Sequence, residues 1–146
     1  MKILLITLLG SFLIPNTYWQ TDFEKARQSA SAEHKLIVLN FSGSDWCGPC
    51  IRMHNEIFES SDFTQYAGQH LILVNADFPR LKKNQLPKDQ QRKNDQLADV
   101  YNKEGIFPLT LLLTPDGKVL KKWEGFPNVS ASQFTNEVKV IFDGAN

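Results

Sequence analysis

An α/β domain with a mixed central sheet and helices on both faces is the fold class this sequence predicts, and three features predict it. Two apolar runs of strand length, "KLIVLNF" and "HLILVNADF", are separated by helix-forming sequence, which makes them parallel strands joined by a right-handed crossover. A third run, "LTLLL", is followed by the turn "TPDG" and by "KVLKKWEGF", the pattern of an antiparallel hairpin with Asp116-Gly117 as its turn signal. Amphipathic stretches stand before, between and after these runs, enough to cover both faces of the sheet.

Taken in order, "TDFEKARQSASAEHK" offers Thr21 or Asp22 as a cap and predicts a helix from about Asp22 to Ala32. "KLIVLNF" is apolar without alternation, as expected of a central strand buried on both faces. After Gly43 and Ser44 the run "CIRMHNEIFES" sets Ile51, Met53 or His54, Ile57 and Phe58 at helical spacing. "SDFTQYAGQ" predicts a second short helix capped by Ser61 or Asp62. "HLILVNADF" is the next strand, and "PRLKKNQLPKDQQRKN" after it is a loop by composition. "DQQRKNDQLADVYNKEG" predicts a helix with Leu97, Val100 and Tyr101 on one face, ended by Gly105. The hairpin follows, with Trp123 packed on the sheet. The last helix is expected from about Ser130 to Phe142, burying Phe134, Val138 and Ile141.

A chain of 146 residues with 42% hydrophobic and 22% charged residues has room for one core and is not compositionally disordered. Its formal net charge is zero, and no strongly basic or acidic stripe stands out, which argues against nucleic acid or an anionic membrane surface as the main partner. Lys2 precedes "ILLITLLGSFLI", the length of a signal-peptide apolar segment and short of the ~20 residues a spanning helix needs. Residues 1–18 are therefore expected to be a signal peptide or a retained N-terminal anchor, and 19–146 the folded domain. Either puts the domain outside the cytoplasm, in the periplasm or secreted, where two cysteines can join to each other.

Those two cysteines are the only ones, and they stand three apart in "SDWCGPC". A longer closed loop would constrain the unfolded chain more, so this spacing suits a bond that opens and closes. The pair follows a buried strand and opens a helix, the context a redox motif requires. At a helix N-terminus, unsatisfied N–H groups and the dipole favour the Cys47 thiolate, which is the attacking species in disulfide exchange. Cys50, one turn further in, is expected to be more buried and protonated, and near enough to resolve a mixed disulfide. Pro49 near the helix start forfeits no hydrogen bond.

"WCGPC" matches the active-site motif of thioredoxins letter for letter, and "GIFPLTLLLTPDGKVL" resembles their cis-proline strand and hairpin. The resemblance covers the chain from about Asp22 to its C-terminus. "FSGSDWCGPCIRMHNEIF" looks more like the secreted thioredoxin-like disulfide oxidoreductases than the cytosolic protein. It implies a thioredoxin fold, Cys47 as nucleophile, Cys50 as resolving thiol and Pro108 as a cis proline facing them. Trp46, Gly48, Pro49, Phe107, Pro108 and Gly125 would then line the substrate groove. It also implies a monomer with no cofactor beyond the redox-active disulfide, protein thiol and disulfide substrates, and no nucleic acid. A dithiol held reduced outside the cytoplasm calls for a membrane-borne electron donor.

The departures are specific. Thioredoxins carry a buried aspartate on the strand before the motif; here that position is Asn40 or Phe41, and neither takes a proton. Glu56 and Asp45 are the nearby acids that could substitute as proton acceptor for Cys50. Leu109 replaces the usual threonine after the cis proline, and Asn55 the helix proline. A reductase of the cell envelope is the expected activity, with a disulfide oxidase or isomerase as the same-class alternative and a copper or zinc carrier as the alternative of another class. Cys47, Cys50 and His54 make three metal ligands without a fourth, and a static structural disulfide would not need the helix start. His34 and His70 read as surface residues beside strands. The loop carrying Arg80, Lys82, Lys83 and Lys88 should emerge beside the cysteines, since both parallel strands end at one sheet edge. There these four cations could contact a partner, although by composition alone the segment reads first as a solvated surface loop.

Overall fold

The computed structural model describes residues 18–145, so all of the expected leader but Tyr18 lies outside the described residues. Five strands form one mixed sheet in the order β1-β3-β2-β4-β5. They are β1 (Trp19–Gln20), β2 (Leu36–Ser42), β3 (Leu71–Asp77), β4 (Leu109–Leu113) and β5 (Val119–Glu124). The helices are α1 (Phe23–Glu33), α2 (Gly48–Arg52), α3 (Ser61–His70), α4 (Lys88–Tyr101) and α5 (Ala131–Ala145). β2 runs parallel to β3 and antiparallel to β4, and every one of its residues is buried, as its unbroken apolar run requires. Among the described residues no helix is long and apolar enough to cross a membrane.

The side-chain period of two divides the core. Leu36 and Val38 of β2 join Met53, Ile57, Phe63, Phe134 and Val138 on the face covered by α2, α3 and α5. Ile37, Leu39 and Phe41 join Phe23, Ala26 and Ala30 on the other face, covered by α1 and α4. Trp123 packs on Phe134 at 4.7 Å between ring centroids and donates its indole N–H to Glu137.

Several boundaries differ from expectation for identifiable reasons. α1 is capped by Asp22, which accepts the Lys25 amide, but α3 is capped by Ser60 instead of Ser61 or Asp62. α4 begins at Lys88, inside the stretch read as loop, and stops at Asn102 before Gly105. Leu97 and Tyr101 pack against the core as expected, joined by the buried Asn94, which donates to the Asp77 carbonyl, while Val100 is exposed. The helix after the cysteines widens into a π-helical turn over Met53–Phe58, where the Glu59 amide reaches back to the His54 carbonyl at 3.0 Å. Cys50, Met53, Ile57 and Phe58 form its buried stripe, and Ile51 and His54 are exposed. β1, absent from the sequence reading, adds two residues in parallel to β3, with Trp19 against Phe58 at 4.9 Å.

Candidate active site

The parallel strands β2 and β3 end at the same edge, and the chain leaving β2 turns at once into the cysteine motif. Gly43 permits this turn. A Cβ there would lie 2.3 Å from Cε2 of Trp46, so the indole lies where any other side chain would begin. The Trp46 and Cys47 amides both bond back to the Gly43 carbonyl. Cys47 is then the N-cap of α2, with extended backbone, and Pro49 stands in the first turn.

Cys47 and Cys50 are joined as a disulfide with their Cα atoms 5.2 Å apart. Burial does not separate them as expected, at 4% and 3% exposure. Hydrogen bonding does. The Cys50 amide donates to Cys47 Sγ at 3.2 Å, so that sulfur takes the place of a capping oxygen and already faces a helix N–H. Cys50 Sγ, in turn, accepts the Gly43 amide at 3.5 Å, on the sheet side. Gly48 and Pro49 are exposed between the two, and a Cβ on Gly48 would touch nothing within 4 Å.

Behind Cys50 lies a cavity of about 310 Å³ lined by Asn40, Asn75, Ser42, Ser44, Trp19, Ile51, His54 and Phe58. Strand parity decides between Asn40 and Phe41. Asn40 shares the face of Leu36 and Val38 and so points to α2, while Phe41 belongs to the opposite core. Asn40 is in register with Asn75 on one side and Thr110 on the other. It donates to Asn75 Oδ1 at 3.0 Å and accepts the Thr110 hydroxyl at 3.0 Å. Three strands thus put a neutral polar row beneath the resolving position, satisfied internally and without an ionisable group. Asn75 and Thr110 were not singled out from sequence, because a polar residue inside an apolar run carries no periodic signal.

Neither nearby acid faces this cavity. Glu56 is exposed and paired with Arg52 at 2.8 Å, and the guanidinium holds its carboxyl below the usual range. Asp45 serves the loop after β3. Its carboxylate accepts the Arg80 amide (2.9 Å), the Leu81 amide (2.9 Å) and the Asn84 side chain (3.0 Å). The Arg80 amide above all, then the Asn84 and Leu81 donors, holds the Asp45 carboxyl below its usual value. His54 Nε2 stands 3.0 Å from Glu59. Among the described residues, no group of three or more His, Cys, Asp or Glu is arranged to hold a metal ion.

The remaining expected residues meet beside the motif. The Phe107–Pro108 peptide bond is cis, and the Gly125 amide donates to the Pro108 carbonyl at 2.8 Å, with Gly125 at φ +74°. Phe107 meets the Trp46 ring edge-on at 5.4 Å. Phe78, which sequence reasoning missed, completes the cluster at 5.5 Å from Phe107, and its carbonyl accepts the Trp46 indole N–H at 2.8 Å.

With this geometry in hand, the comparisons with known proteins are direct. The profile of the thioredoxin-like domain matches residues 23–140. The chain belongs to this thioredoxin-like family. It is 37% identical over 124 residues to the disulfide bond reductase DsbH of Chlamydia pneumoniae, covering 85% of this chain and 72% of that one. It is 30% identical over 115 residues to the thioredoxin-related protein DsbJ of the same organism, covering 78% of this chain and 32% of that longer one. Among solved structures, a DsbH oxidoreductase superposes with a TM-score of 0.78 at 34% identity, covering 94% of both chains. A thioredoxin from Thermus thermophilus shares the fold at TM-score 0.64 and 14% identity, covering 86% of this chain and 88% of that one. This thioredoxin-like protein, with its cysteine pair at a helix start, is a thiol–disulfide oxidoreductase.

Proposed function

We propose that the protein works as a reductase of protein disulfides in the cell envelope, with Cys47 as nucleophile and Cys50 as resolving thiol. The observation that carries the roles is the position of Cys47 Sγ as the cap of α2, accepting a helix amide. In the reduced protein the Cys47 thiolate attacks one sulfur of a client disulfide, and the first client thiolate leaves and takes a proton. Cys50, losing its proton, then attacks Cys47 Sγ. The second client thiol departs, and two electrons have passed from the dithiol to the client, leaving the Cys47–Cys50 disulfide. Trp46, Gly48, Pro49, Phe107, Pro108 and Gly125 form the groove that holds the client backbone during both steps.

The direction follows from the residues between the cysteines. Gly48 and Pro49 add no charge or donor to the Cys47 thiolate beyond the helix start, and no histidine stands between the cysteines. A less stabilised thiolate means a less stabilised dithiol and a lower potential, with each 30 mV worth about 1.4 kcal/mol. Similarity to a protein named as a disulfide bond reductase supports the same direction. The apolar run after Lys2 supports an envelope location, where a membrane-borne donor would restore the dithiol.

Redox equilibration with glutathione tests this. A potential clearly below glutathione's poise is the expected result. Equilibration near the strongly oxidising end of the superfamily would make the protein an oxidase or isomerase and overturn the reductase direction.

A further inference from the structure

The loop between β3 and α4 has a place in the site that redox chemistry alone does not require. Asp45, two residues before Cys47, holds it by three hydrogen bonds to Arg80, Leu81 and Asn84. Trp46, next to the nucleophile, donates its indole N–H to Phe78 at the start of the loop. The Arg80 guanidinium lies 3.6 Å above the centroid of the Trp46 ring. The motif and the loop are therefore one surface, and a fixed positive charge covers the tryptophan that borders Cys47.

That charge is not alone. Arg80, Lys82, Lys83 and Lys88 fall within one segment of the loop and the α4 start that contains no acid. All four are exposed, and among the described residues none of them is in an ion pair. Two carboxylates stand at its base, Asp77 accepting from Ser44 and Asp45 from the Arg80 and Leu81 amides and the Asn84 side chain, and they offset part of this charge. Four exposed cations against these two carboxylates leave the rim beside Trp46 with an excess of positive charge on a chain whose formal net charge is zero. Arginine stacked on an aromatic face keeps its outward N–H groups free to bind a carboxylate. Leu81, 47% exposed, adds an apolar contact at the same place.

We infer that this loop is a client-recognition surface selecting polypeptides with acidic residues next to the reactive cysteine, Arg80 meeting the nearest carboxylate and Lys82 and Lys83 those further along. The inference rests on the oxidoreductase reading and names its substrate class. Several cations at a solvated rim act mainly on encounter and are screened by salt, because the Debye length is about 10 Å at 0.1 M.

The test uses two peptides of equal length, each with one internal disulfide, flanked in one by glutamates and in the other by glutamines. At low ionic strength the acidic peptide is expected to be reduced with about tenfold higher kcat/KM, a preference that falls towards one in 0.5 M sodium chloride. The combined Arg80→Gln, Lys82→Gln, Lys83→Gln variant should bring the ratio of the two rates close to one, and Arg80→Lys should restore part of it. Equal rates for both peptides in the unaltered protein, or a preference that salt leaves intact, would overturn the inference while leaving the reductase standing. Failure to reduce either peptide would overturn both. Because the salt series needs no variant, the outcome does not depend on whether the triple variant folds.

Discussion

Asn40→Asp would put a carboxyl where the family's aspartate is expected, with no change in size. Asn40 is 6% exposed and lies under Cys50 in a row of neutral partners. An isolated carboxylate that deep has its pKa raised by up to 3–5 units through desolvation. Two donors would offset part of this: the Thr110 hydroxyl already points at the position, and the Asn75 amide can turn to present its N–H. A net rise of roughly 2 units is then reasonable, and at 1.36 kcal/mol per unit the penalty is about 2.7 kcal/mol.

The sign follows from proton linkage. The unfolded chain ionises this aspartate near pH 3.9, whereas the folded protein holds its proton longer. Below about pH 4 both states are protonated and Asn40→Asp should resemble the parent. Stability is then lost as pH rises through the raised folded value, and the full deficit is present at neutrality. For a chain of this size the deficit corresponds to a fall in Tm on the order of 10 °C. Thermal unfolding of both oxidised proteins at pH 4 and pH 7.5 reads it directly. A Tm difference that is the same at both pH values would refute the reasoning, because it would mean that the cavity solvates a carboxylate as water does. In the same variant the resolving step should quicken, since Cys50 would gain a proton acceptor.

Four other outcomes are expected. In the reduced protein a limiting alkylating agent at neutral pH should label Cys47 well before Cys50, because only Cys47 caps a helix; peptide mapping that finds equal labelling would contradict the roles assigned. Cys50→Ala should trap client proteins as mixed disulfides on Cys47 and Cys47→Ala should trap none, and equal capture on non-reducing gels would mark the adducts as adventitious. Gly43→Ala forces its Cβ into the Trp46 ring, which is pinned by Phe78 and Arg80, so overpacking should cost about 1–3 kcal/mol and shift the Trp46 emission. Stability within ~0.5 kcal/mol of the parent would show that the indole swings aside freely. The Asp45 carboxyl is held below its usual value of 3.8, so its grip on the loop is present above that pH and is lost as pH falls through the lowered one. Protection factors at the Arg80 and Leu81 amides, corrected for the intrinsic exchange rate, should therefore hold above the usual carboxylate value and fall only as pH drops through the lowered one, and protection that is unchanged in Asp45→Asn or already lost above the usual value would refute the assignment.

Legibility from sequence follows the kind of signal each part carries. β2, β3 and the hairpin are long apolar runs with turn chemistry between them, so their order and direction could be read before any geometry was known. α4 is legible to within one residue of its start, because Leu97 and Tyr101 pack on the core, but its buried Asn94, bonded to the Asp77 carbonyl and to Gln90, gives no apolar signal, and Val100 is exposed. β1 is two residues long, too short for any period, and exists only because β3 offers an unpaired edge. The choice between Asn40 and Phe41 is one of parity, and parity needs a register, which pairing with Asn75 and Thr110 supplies.

The site divides in the same way. Cys47, Cys50 and Trp46 declare themselves in seven residues of sequence, and Phe107, Pro108 and Gly125 follow by resemblance. The loop's position beside the cysteines is also legible, from the two parallel strands, but its attachment is not, because neither the Asp45 clamp nor the Arg80 stack on Trp46 carries a sequence signal. Two parallel neighbours deliver the ends of β2 and β3 to one edge, so whatever follows β3 must pass the motif that follows β2. Asp45 turns that proximity into attachment, because a carboxylate with acceptors only can satisfy two loop amides and a side-chain donor together. An acid that looked from sequence like a candidate proton acceptor for Cys50 is instead the residue that ties Arg80 to the rim of the active site. Among the described residues neither Asp45 nor Glu56 faces Cys50, so the buried aspartate of thioredoxins has no counterpart here, and the strand position it would take is held by the neutral Asn40.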